Sequence, residues 1–292
     1  MVDSTRGFWS AVGAYLIWGL FPIYWRWLYG VPALQIMAHR LSWCFVLVTG
    51  YLTMSRGVAW WRPLVAQPRL VRLLATSAVL ISLNWWLYIW AVNAGHVVET
   101  SLGYFINPLV NVLLGVIVLK ERLNRRQWLA VSMASAGVAY MTVSNGAPPW
   151  IALALACSFG LYGLIRKVAP AESIPALGLE SALLVVPLAG YLIWVHAIGG
   201  GALGHRGPVT DALLVGSGLV TAIPLVLFAY GAQRIPYSAM GILQYIAPTL
   251  QLGCGVLLFG EPFTRTQLIG FGAIWAALVV YAADGFIRRF RP

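Results

Sequence analysis

A chain of 292 residues that is 60% hydrophobic and 9% charged cannot cover a water-facing surface, since a soluble domain carries about 25% charged residues. Its mean hydropathy of +0.81 makes lipid its main solvent; a spanning helix takes roughly 20 apolar residues, so about ten spans fit and no separate soluble domain does. The net charge of +11 sits in short loops between apolar runs, which is the pattern of membrane orientation rather than of nucleic-acid binding.

Ten spans are expected, near 8–28, 33–54, 70–92, 98–119, 127–144, 149–166, 175–198, 211–233, 238–259 and 266–285. The first run is too long for a signal-peptide core and lacks a small-residue cleavage site, so it reads as a retained helix. Gly30 and Pro32 separate the first two spans. Asn145, Gly146, Pro148 and Pro149 form a central turn, and the Gly-rich stretch GGGALGHRGP precedes the eighth span. Cys44, Cys157 and Cys254 all lie inside apolar runs without metal-ligand spacing, which predicts three buried, reduced thiols and no metal site.

The fourth and ninth spans are related in sequence. Residues 104–127 and 244–267 align without a gap at an offset of 140, with seven identities in 24 positions. Ile106, Pro108, Gly115, Val116, Glu121, Arg125 and Gln127 fall on Ile246, Pro248, Gly255, Val256, Glu261, Arg265 and Gln267. Apolar composition does not supply matched Pro, Glu, Arg and Gln, so the chain reads as a duplication, with one copy over 7–144 and the other over 149–287. Five spans per copy is an odd number, so the second copy is inserted upside down. Charge agrees: with the N-terminus inside, fifteen Lys and Arg face the cytoplasm and three (Arg26, Arg206, Arg265) face outward. Both termini are then cytoplasmic. Inverted repeats with a site near the midplane recur among transporters.

No nucleotide loop or metalloprotease motif is present, which argues against ATP-driven pumping and cofactor chemistry. Ionisable groups inside spans mark candidate sites. Arg40 and His39 sit in the second span and Glu180 in the seventh, on helices that both begin Pro-Ala-Leu. Arg40 offers a forked donor to a carboxylate, and His39 suits proton transfer; local pairing or snorkelling is the alternative for each. The amides Asn84, Asn107 and Gln244 are candidates to line a cavity, together with Trp85, Tyr88, Tyr104 and Tyr245; interhelical hydrogen bonding is their alternative. Asn93, Asn111 and Gln251 also interrupt apolar runs. Pro108 and Pro248 are candidate hinges, because a proline frees a backbone carbonyl and bends a helix.

The stretches AYLIWGLFPIYW, AHRLSW, LNWWLYIWAVN, ETSLGYFINPLVN and GLYGLIRK resemble the RarD branch of the EamA-type transporters, in the drug/metabolite transporter superfamily that includes the amino-acid exporter YddG. The likeness spans essentially the whole chain and is more specific in the first half. It implies an all-α polytopic membrane protein of ten helices in two inverted EamA repeats. It also implies a non-enzymatic exporter of small metabolites, amino acids foremost, in the bacterial inner membrane. Efflux of drug-like amphipathic compounds is the second reading; a membrane-embedded enzyme or lipid scramblase is a third. The expected partners are a small solute and the bilayer, with no nucleic acid, and a monomer is favoured.

Overall fold

The computed structural model describes residues 2–93, 97–144, 150–260 and 263–289. Glu261 and Gly146 lie outside them, and the side chain of Glu99 is not among those described. The described residues are almost wholly helical, with no strand among them. In chain order the helices are α1 (Val2–Gly19), α2 (Phe21–Trp27), α3 (Ala33–Arg56), α4 (Arg62–Val65), α5 (Pro68–Asn93), α6 (Val97–Ile117) and α7 (Arg125–Ser144). The second copy supplies α8 (Trp150–Val168), α9 (Ser173–Ala197), α10 (Pro208–Arg234), α11 (Tyr237–Gln244), α12 (Ile246–Gly253) and α13 (Arg265–Arg289), with a π-helical turn at Cys254–Leu258 after α12.

Each expected span coincides with a helix or a broken pair of helices. Seven stretches among the described residues are long and apolar enough to cross a membrane by length and composition. α3, α6 and α7 are not among these; Gln35, His39 and Arg40 dilute the apolar character of α3, and α6 contributes the shorter apolar stretch Gly103–Ile117. Large apolar side chains such as Met54, Val143, Val186 and Leu257 stand 74–91% exposed around the bundle. Water would not tolerate so much apolar surface, but lipid does. The protein is a multi-pass membrane protein.

The first span is broken where Pro22 enters. Its ring excludes a hydrogen bond to the carbonyl four residues back, and that carbonyl, on Trp18, instead accepts from Gln251 Nε2 at 3.2 Å. The ninth span is broken at Tyr245, between α11 and α12, three residues before Pro248. Pro108, by contrast, lies inside the continuous helix α6.

Packing shows the duplication. α1 lies on α10 as α8 lies on α5, α3 on α10 as α9 on α5, and α6 on α8 as α12 on α1. The remaining large contacts join equivalent helices: α3 with α9, α6 with α11, and α7 with α13. All three pairs run antiparallel. Gln35 donates to the Gly200 carbonyl at 2.8 Å, while Leu52 lies against Gly178. Asn111 donates to Gln244 at 2.5 Å, while Gly115 lies against Ser238. Asn124 donates to Asp284 at 2.6 Å, while Gly137 lies against Gly270. Equivalent helices that meet head to tail are the signature of inverted copies. Close approach depends on small residues: a Cβ on Gly241 would collide with the Pro108 carbonyl, and one on Gly137 would come within 2.7 Å of the Gly270 carbonyl.

One end of the bundle gathers the basic loops and is laced together. Arg56 pairs with Glu172 at 2.5 Å and Arg234 with Asp3 at 3.1 Å. Lys167 Nζ donates to the carbonyls of Ala232 and Ile235 at the C-terminus of α10, at 2.9 and 2.7 Å. Arg56 holds the Glu172 carboxyl below the usual carboxylate range.

Candidate functional site

Between the two copies lies a cavity of about 280 Å³, in the half of the bundle away from the basic end. Its walls come from α1, α2, α3, α5, α6, α8, α10, α11 and α12. Of the residues singled out in the sequence, it brings together Arg40, Asn84, Trp85, Tyr88, Tyr104, Asn107, Gln244 and Pro248.

Arg40 is the cavity's one cation among the described residues. Its Nε donates to Thr221 Oγ1 at 3.1 Å. Its guanidinium lies over Trp25 at 4.7 Å, Trp85 at 5.2 Å and Phe21 at 5.7 Å from the ring centroids, within the range of cation–π attraction. The break at Pro22 is what turns Phe21 and Trp25 onto it. Among the described residues no carboxylate forms an ion pair with Arg40, and none accepts a hydrogen bond from its two terminal nitrogens.

The amides divide into ties and open groups. Asn84 Nδ2 donates to the Leu155 carbonyl and to Ser158 Oγ, both at 2.8 Å, and ties α5 to α8. Asn107 Nδ2 donates to the Ala156 carbonyl at 3.2 Å, but its buried Oδ1 has no partner among the described residues. Tyr88 and Tyr104 meet edge to face at 6.1 Å along the cavity wall. Toward the basic end the cavity is floored by Trp18 and Phe159, which pack on Phe228, itself stacked on Tyr162 in the core beneath. Tyr15 and Tyr237 lock that floor by donating to the carbonyls of Met240 and Gly160, at 3.1 and 2.7 Å.

Three expected site residues lie elsewhere. Glu180 does not face Arg40. It is 3% exposed, pairs with Arg166 at 3.4 Å and accepts from Ser77 Oγ. Arg166, one of the fifteen bases counted to the cytoplasmic side, is inside α8 and 1% exposed, so it meets Glu180 first. Tyr245 is 1% exposed, donates to the Phe105 carbonyl at 3.2 Å and packs with Phe271 in a core cluster. The break at Tyr245 swings its ring away from the face that Gln244 presents. His39 lies on the other side of α3 from Arg40, in a separate groove of about 510 Å³ between α3 and α9 that also holds Gln35 and His196. Cys157, expected to be buried, is exposed, whereas Cys44 and Cys254 are buried. Sequence reasoning missed Phe21, Trp25 and Thr221, the residues that hold Arg40. The Phe-Pro pair at 21–22 was a readable signal for the first two; nothing marks Thr221.

The EamA-like transporter family matches residues 5–143 and again 148–283. The chain belongs to the EamA-like transporter family. Protein RarD of Streptomyces exfoliatus is 46% identical over 282 residues, covering 97% of this chain and 90% of that protein. The uncharacterized transporter YojE of Bacillus subtilis is 44% identical, covering 96% and 94%. The chloramphenicol-sensitive protein RarD of Pseudomonas aeruginosa is 31% identical, covering 96% and 95%. These relatives set the chain in the RarD branch of the EamA-type transporters. A crystal structure of a protein 18% identical in sequence superimposes with a TM-score of 0.68 and covers 94% of this chain and 96% of that one, a likeness of fold alone. In this EamA chain the two family matches are the two copies whose equivalent helices meet antiparallel.

Proposed function

We propose that the chain is a secondary transporter of the bacterial inner membrane that exports small polar metabolites, amino acids foremost, by alternating access of the cavity between its two copies. The observation that carries this reading is Arg40: a cation at the wall of an aromatic cavity, held by Thr221 and by ring faces, with its fork unclaimed among the described residues. Such a fork matches a substrate carboxylate in two parallel hydrogen bonds. The buried, unpartnered Oδ1 of Asn107 accepts from a substrate N–H, and Tyr88, Tyr104 and Trp85 form a wall tolerant of many side chains. With the basic end cytoplasmic, the cavity faces outward, and export requires the laced end to open in turn. The remaining cavity polar groups suit solute binding; no set of described His, Cys, Asp and Glu groups forms a metal site.

Purified protein in vesicles tests the reading. Flux of unmodified radiolabelled amino acids, lost in Arg40→Gln, is expected. Chemical conversion of the solute, or lipid flip without solute flux, overturns it. A second reading, efflux of amphipathic drug-like compounds, is favoured by the aromatic walls and by the name of the chloramphenicol-sensitive relative; chloramphenicol in the same flux panel separates the two.

A further inference from the structure

The cavity is electrostatically one-sided. Arg40 brings a full positive charge, and no Asp or Glu lines the cavity among the described residues. Glu180, the acid that would complement an ammonium, is committed to Arg166 and Ser77. Three aromatic faces near Arg40, those of Phe21, Trp25 and Trp85, already hold its guanidinium, so they are not free to cradle a second cation. An ammonium placed beside Arg40 would meet a like charge in a site of low dielectric, where such a pair is strongly unfavourable. A carboxylate there meets the fork. Asn107 Oδ1, unpartnered on a side chain that is 4% exposed, then accepts from any neutral or charged N–H or O–H on the same molecule.

Resting on the reading of this cavity as the transport site, we infer that the recognised unit is the substrate's carboxylate together with a flat apolar body. The ammonium is dispensable, and the ligand class extends to small organic monocarboxylates with net charge −1. An amino acid is bound through its carboxylate, and its amino group is tolerated rather than required. The corresponding amine, which lacks the carboxylate, is rejected by Arg40.

Three probes differing by one group each test this on the purified full chain in detergent: L-phenylalanine, 3-phenylpropionate and 2-phenylethylamine, titrated calorimetrically. The expected result is a Kd for 3-phenylpropionate within about threefold of that for phenylalanine, or tighter, and binding of 2-phenylethylamine at least about tenfold weaker. Arg40→Gln loses both carboxylates, and Arg40→Lys keeps the same order at lower affinity. Should Arg40→Gln fail to fold, as judged by its thermal melt, the order in the wild type and in Arg40→Lys decides alone. Phenylalanine binding without 3-phenylpropionate binding overturns the inference and leaves the transport reading standing, as does 2-phenylethylamine binding as tight as either acid. No binding by any probe, with no phenylalanine flux in vesicles, overturns the transport reading itself and the inference with it.

Discussion

Glu121 and Ser238, 117 residues apart in sequence, are joined twice: the Ser238 backbone N–H and hydroxyl donate to the same Glu121 carboxylate oxygen at 2.9 and 2.7 Å. Tyr237 N–H donates to the other oxygen at 2.6 Å. A glutamate of the first copy thereby caps the N-terminus of α11 in the second, where orphan N–H groups and the helix dipole favour an anion. Glu121→Gln keeps an acceptor but removes the charge. The expected loss is about 1.5–3 kcal/mol, the range for hydrogen bonds to charged groups, with faster hydrogen exchange at the Tyr237 and Ser238 amides. Unchanged exchange there would show that the clamp carries no stability.

The backbone just before Glu121 is itself duplicated. Lys120 has φ of 56° and Gly260, its equivalent at the offset of 140, has φ of 69°. The second copy thus meets a left-handed turn with glycine, and the first with a side chain that disfavours it, by about 1–2 kcal/mol. Lys120→Gly is expected to stabilise the protein by up to about 1 kcal/mol, the strain relieved being partly offset by glycine's greater freedom in the unfolded chain. A lower melting temperature would mean that the Lys120 side chain holds something the turn needs.

The Arg166–Glu180 pair is sealed from water on both sides. Removing one partner strands a buried charge, which costs about 3–5 kcal/mol, whereas removing both does not. Arg166→Leu and Glu180→Leu should each lower stability by that amount, and the double variant should recover most of it. Additive losses in a double-mutant cycle would contradict the pairing.

The architecture was legible because its signals are long-range and redundant. Matched Pro, Glu, Arg and Gln at a fixed offset, an odd number of spans per copy and the placement of basic loops all pointed to inverted repeats. Cavity membership was legible wherever a polar or aromatic residue sat on an unbroken helix face, as with Arg40, Asn107 and Tyr104. It failed at Tyr245, because a helix break three residues ahead of Pro248 rotates the face by an amount that composition does not encode. Glu180 lies outside the cavity for a different reason. A buried acid pairs with the nearest buried base, and counting Arg166 among the cytoplasmic bases hid it. Trp25 and Thr221 escaped because clamping a guanidinium needs ring faces and a hydroxyl, residue types too common in membrane helices to stand out.

Sidedness follows from the same charges and is open to direct measurement. The basic end carries Arg56, Arg62, Arg69, Arg72, Lys120, Arg122, Arg125 and Arg126 from the first copy and Lys167 and Arg234 from the second, whereas the opposite end has Arg26, Arg206 and Arg265 among the described residues. Lys and Arg in short loops are retained on the cytoplasmic side. In a background with all three cysteines replaced, His205→Cys in the exposed loop before α10 should react with a membrane-impermeant thiol reagent in intact cells. Gln67→Cys, exposed between α4 and α5 at the basic end, should react only after permeabilisation. The cavity would then open to the outside, as an exporter does after releasing its solute. The reverse labelling pattern would turn the molecule over in the membrane and make the same cavity face the cytoplasm, with Arg40 poised for loading instead of release.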